Sequence, residues 1–157
     1  GANSEATRCD NGSTALYSAS GKGHVGVVSL LLERGANLEA SRNDSGATSL
    51  HTAAYYLQTD IVRLLLEKGA NVHAASKEAR AALHFVFIAP TIDTDNRDPK
   101  QLIPTITVLL AHGANILQTN ADGQTPLDLA EVGGYREAKK LLLRHLKQHG
   151  LKPPRET

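Results

Sequence analysis

The amino-acid sequence predicts an all-α solenoid, a stack of antiparallel helix pairs joined by projecting hairpin loops. Three observations carry that prediction. The phrase Leu64 to Asn71, Leu-Leu-Leu-Glu-Lys-Gly-Ala-Asn, returns as Leu30 to Asn37 and, loosened, as Val108 to Asn115. Gly1, Gly35 and Gly69 stand 34 residues apart and Gly113 follows after 44; self-similarity at a fixed period sets the architecture. Apolar residues at Val27, Val28, Leu31 and Leu32, and again at Ile61, Val62, Leu65 and Leu66, keep the spacing of one broad helical face. We expect both faces to be core.

Taken in order, residues 1 to 12 read as a loop or hairpin that repeats almost verbatim: Thr7-Arg8-Cys9-Asp10-Asn11-Gly12 matches Ser41-Arg42-Asn43-Asp44-Ser45-Gly46. Asp or Asn near Gly marks a tight reversal, because the short polar side chain bonds local backbone and Gly accepts positive φ. Each turn leads into a short helix. These begin at Ser13-Thr14-Ala15-Leu16, which runs to about Ser20, and at Thr48-Ser49-Leu50-His51, Ala81-Ala82-Leu83-His84 and Thr125-Pro126-Leu127-Asp128. Thr before a helix accepts its free N–H groups, and Pro126 suits a first turn. A second helix follows in each unit, at roughly 24–34, 59–68, 102–112 and 135–148, and Gly35, Gly69 and Gly113 end three of them.

These residues resemble a run of ankyrin repeats. The likeness is closest over Asp44-Ser45-Gly46-Ala47-Thr48-Ser49-Leu50-His51-Thr52-Ala53-Ala54, followed by Ile61 to Asn71, and the period of about 33 and the Thr-Pro-Leu-His-x-Ala phrase belong to that family. It extends over almost the whole chain, as one domain of four helix pairs: repeats at approximately 9–42, 43–75, 76–119 and 120–150, a tail of a preceding repeat over 1–8, and a frayed end over 151–157. The first two hairpins carry one residue more than the family's spacing. Repeat three departs furthest, with Ala79 for the turn Gly, Ala81-Ala82 for Thr-Pro, and an insertion near 90–100 that is polar and bounded by prolines. Both turn and cap are weakened there, the cap by about 0.5–2 kcal/mol, and this unit should be the least stable.

Composition narrows the function. Aromatics make up 4% of the 157 residues and Trp is absent, which suits thin helices packed closely, and we expect no cofactor. Cys9 stands alone, so no intrachain disulfide can form and a reducing, intracellular compartment (cytoplasm or nucleus) is expected. No apolar run approaches the ~20 residues that span a bilayer. Met is absent and Gly1-Ala2-Asn3 falls in phase with Gly35-Ala36-Asn37, so we expect a piece of a longer protein. Net charge is +1, with positive charge gathered from Arg136 onwards as a polar end cap. We therefore expect no nucleic acid as main partner, no membrane insertion and a monomeric chain.

No catalytic constellation emerges. The resemblance implies that His51 and His84 make a hydrogen bond within the repeat. His145 and His149 are four apart, a metal-compatible spacing without a third ligand nearby. Asp93, Asp95 and Asp98 lack the Gly and bidentate Glu of a calcium loop, and Gly21-Lys22-Gly23-His24 lacks the phosphate-loop spacing. We expect a non-enzymatic module that binds a protein or peptide, acidic or extended, on its concave face. The alternative is a structural or intramolecular arm of a channel, receptor or enzyme.

By the resemblance, hairpin tips and the exposed side of the short helices line the concave face. That selects Arg8, Asp10, Asn11, Ser13 and Lys22 from repeat one, and Arg42, Asp44, Ser45, Ala47, Tyr55 and Tyr56 from repeat two. Repeat three adds Lys77, Glu78, Arg80 and Ile88, and repeat four Ala121, Asp122, Gln124 and Val132. Tyr55-Tyr56 is the expected anchor, since Tyr and Arg are enriched at interface hot spots; the competing reading packs one of them against repeat three. Arg8 and Arg42 are expected about 10 Å apart on successive fingers.

Overall fold

A computed structural model describes residues 12–88 and 99–153. Arg8, Cys9, Asp10, Asn11, the three aspartates of the insertion and the last four residues lie outside them, as does the expected tail of a preceding repeat. The described residues form eight α-helices and no strand. They pair as α1 (Ala15–Lys22) with α2 (Val25–Glu33), α3 (Ser49–Tyr55) with α4 (Thr59–Glu67), α5 (Ala82–Phe85) with α6 (Leu102–Ala111), and α7 (Pro126–Val132) with α8 (Arg136–Gln148). A 3-10 turn, Pro99–Gln101, leads into α6.

Two layers result. The inner helices α1, α3, α5 and α7 pack in succession, as do the outer helices α2, α4, α6 and α8. Small residues allow the inner helices to approach closely: Ala53, Ala54 and Ala130 have no exposure. In the outer layer the Thr59 hydroxyl donates to Gln101 Oε1 over 2.9 Å and lies 2.8 Å from the Thr105 hydroxyl, joining α4 to α6. Ile61, Leu65, Ile106, Leu109 and Leu142 are wholly buried between the layers.

The repeated phrase ends α2, α4 and α6 in the same way. Gly35, Gly69 and Gly113 take φ of 81°, 97° and 87°, where a Cβ would cost energy. The next amide then folds back: Ala36, Ala70 and Ala114 donate to Leu31, Leu65 and Leu109, each over 3.0 Å. Two residues on, the Oδ1 of Asn37, Asn71 and Asn115 accepts from the amides of Glu39, His73 and Leu117 at 2.9 Å.

Two expectations change and one, the weakened cap of repeat three, is met. α1 continues to Lys22 beyond Ser20 and stops at Gly23, with φ 80°. The α2 face is not core as a whole: Val28 is buried, but Val27 is 49% exposed and Leu31 and Leu32 are half-buried. The cause is position in the stack: among the described residues α4 is sandwiched between α2 and α6, whereas α2 packs in its layer on α4. In repeat three the inner helix shrinks to one turn, and its N-cap Ala81 has no side-chain oxygen to offer.

Candidate partner-binding surface

Each finger is a backbone turn before it is a set of side chains. The third and fourth close alike, Ser76 N–H to Arg80 O and Ala79 N–H to Ser76 O, then Asn120 N–H to Gln124 O and Gly123 N–H to Asn120 O, at 2.9–3.0 Å. In the second, Arg42 N–H bonds Ala47 O at 3.0 Å, but the inner bond runs from Gly46 N–H to Arg42 O at 2.8 Å. That is one residue further along, so this finger is longer, as its spacing implied. Ala79 takes φ of +56° where Gly46 and Gly123 take 68° and 76°, a conformation costly for any residue with a Cβ.

Successive fingers are tied to one another. Lys77 N–H donates to Ser45 O and Ala121 N–H to Glu78 O, both at 2.9 Å. A second tie comes from below. His51 Nδ1 accepts from its own Thr48 N–H at 2.9 Å, and Nε2 donates to Ala74 O at 2.9 Å, at the base of the next finger. His84 repeats this with Ala81 N–H at 3.2 Å and Gln124 O at 3.2 Å. The bond expected within the repeat is present, together with one to the neighbour. Burial pushes the His51 pKa down to about 4, against the opposing pull of the Ala74 and Arg80 carbonyls; burial also lowers that of His84. Both rings are neutral staples, with no exposure.

Tyr17 holds the equivalent place in repeat one, which the sequence reading did not single out. Its signal is the register of Thr14-Ala15-Leu16-Tyr17 with Thr48-Ser49-Leu50-His51. It reaches the next finger by different chemistry, with the Arg42 guanidinium 5.5 Å from its ring centroid, within the range of a cation–π contact. In repeat four Asp128 turns inward and accepts from Thr125 N–H at 2.8 Å and Thr125 Oγ1 at 2.9 Å.

The finger charges are largely spent on one another. Arg42 Nε donates to Asp44 Oδ1 at 3.0 Å; the bond holds the Asp44 carboxyl below its usual range and raises Arg42. Arg80 donates to Glu78 and stands 3.8 Å from Asp122. The Lys77 ammonium donates to Asn43 O. Three cations thus face three carboxylates along the described tips, so an acidic partner finds little excess charge there. Arg8 and Asp10 lie outside the described residues, and with them the expected spacing of the finger arginines.

Along the inner helices, Lys22 is exposed at the end of α1, Ile88 is half-buried beyond α5, and Val132 is 80% exposed at the end of α7. Ser13 and Ala47 are buried, not surface residues, because both lie against the N-termini of inner helices. Tyr55 and Tyr56 are half-buried, their rings edge to face with centroids 4.9 Å apart. Gly21 lets Tyr56 approach: a Cβ there would lie 3.4 Å from the ring and 2.7 Å from Thr52 Oγ1. Tyr56 therefore packs back on α1, in repeat one.

The comparisons agree with this geometry. The family model for ankyrin repeats (3 copies) matches residues 1–76, and the later helix pairs repeat the same finger and helix-end bonds. Over residues 1–76 the chain is built of ankyrin repeats. Such repeats are generally protein-interaction modules and typically lack enzymatic activity. No curated protein matches the chain as a relative. Among the described residues, no helix is long and apolar enough to cross a membrane and no three of His, Cys, Asp and Glu gather to hold a metal ion.

Proposed function

We propose that the chain is a non-enzymatic module that captures a protein or peptide on the concave face formed by its fingers and inner helices, acting inside the cell as one domain of four repeats. The observation that carries this reading is the Tyr55–Tyr56 pair. Its rings brace each other, and Tyr56 is held by Gly21, so the exposed part of Tyr55 has little entropy left to lose on binding. Lys22 on one side and Ile88 and Val132 on the other extend the face. The balanced charge of Arg42, Asp44, Lys77, Glu78 and Arg80 favours a partner of mixed charge with apolar or aromatic anchors, in place of the acidic segment expected from the finger arginines.

Tyr55→Ala tests it, alone and with Tyr56→Ala. Capture of a partner recovered with the wild-type chain should fall at least about tenfold, the loss of a ~1.4 kcal/mol hot spot, with helicity retained. Undiminished capture would sink the anchor assignment. The exposed apolar residues of α2, Val25, Val27 and Leu30, favour a second reading: an arm docked within a larger assembly through its outer layer. A chain that retains no partner through Tyr55 but does so through Val27 and Leu30 would select it.

A further inference from the structure

We propose that His145 and His149 form a two-imidazole site for a divalent transition-metal ion of the Zn2+, Ni2+ or Cu2+ class at the C-terminal end of α8. Residues four apart on a helix present two imidazoles on one side, where one ion can reach both. Here the ring centroids are 4.3 Å apart, with 42° between the planes. The backbone holds that spacing to the last residue: His149, the C-cap, keeps φ −97° and ψ 9°, and only at Gly150, with φ 67°, does the chain turn away. The Leu151 amide then returns to Leu146 O over 2.9 Å.

Both imidazoles border a cleft of about 440 Å³ with Leu110, Ile116, Leu146 and Leu151 among its walls. The carbonyl end of α8 adds a negative pole where the ion would sit. His73 borders the same cleft but does not complete a group of three ligands among the described residues. Among the described residues no third ligand joins them, which would leave the remaining positions to water and make this an open, exchangeable site, unlike the closed four-ligand structural zinc site.

The test is a competition titration of the whole chain with Ni2+ and Zn2+ against a chromophoric chelator near pH 7.5, followed by the histidine ring resonances. One ion per chain is expected, with His145 and His149 perturbed first. His149 is exposed, so His149→Ala should retain its helical spectrum while losing affinity at least about tenfold, the scale seen when a metal site loses even a supporting partner. His73→Ala should bind as the wild type does. Affinity unchanged in His149→Ala, perturbation led by the exposed His24 or His112, or equal loss in His73→Ala would overturn the assignment.

Discussion

Lowering the pH from about 7.5 to about 5 drives a proton towards His51, a ring with no exposure and both nitrogens committed. The proton can enter only at Nδ1, where it would displace the Thr48 N–H that this nitrogen accepts. In the unfolded chain the ring protonates near 6.5, whereas in the folded stack burial holds it at about 4. Below about pH 6.5 the unfolded state therefore binds more protons, and stability falls with pH until about 4, where the folded ring follows. A gap of about 2.5 pH units at about 1.36 kcal/mol each amounts to about 3.4 kcal/mol, of which about 2 is lost by pH 5. His84 is displaced in the same direction by the same cause and adds to the loss. Urea unfolding across this range, with the His51 ring proton followed by NMR, reads both sides of the argument. A flat stability between about pH 7.5 and 5, or a His51 ring that titrates near 6.5 in the folded chain, would refute it.

Other outcomes follow from the packing. Ala79→Gly relieves a positive φ and should raise stability by up to about 1.5 kcal/mol after the entropic cost of glycine, read as a higher urea midpoint. Leu65→Ala, at a wholly buried site, should cost about 2–5 kcal/mol. Val27→Ala, at the corresponding face of α2 but half exposed, should cost about 1 kcal/mol or less; equal losses would contradict the one-sided packing of α2. Amide exchange should be faster in α5, a single turn with an alanine cap, than in α3 or α4, and uniform protection would count against a weak third repeat.

Most of the architecture was legible because the residues that set it act locally and recur. Thr14, Thr48 and Thr125 announce helix starts and Gly35, Gly69 and Gly113 announce helix ends, and each does so through backbone bonds a few residues away. What could not be read depends on neighbours along the stack. Val27 and Ile61 occupy equivalent places in the pattern, yet one is half exposed and the other buried, because among the described residues Ile61 has an outer helix on both sides and Val27 on one. Arg42 and Arg80 read in sequence as partner-facing charges; Asp44, Glu78 and Asp122 take them up once the fingers are formed. Tyr17 was hidden for a third reason. It fills a histidine's place and performs a similar inter-repeat task with a π face and a guanidinium instead of a hydrogen bond.

The staples from inner helix to next finger also determine how this chain would bear load. Pulled from its two ends, a stack joined only between neighbours carries tension in series, so every junction bears the whole force and none shares it. Rupture is then set by the feeblest junction and not by the summed free energy. That junction is the one rooted in α5, where the staple His84 stands on a single turn and its two bonds are 3.2 Å long, against 2.9 Å at His51. Better packing around Leu65 would make the chain harder to denature and leave its breaking force unmoved, whereas relief of the strain at Ala79 would raise both.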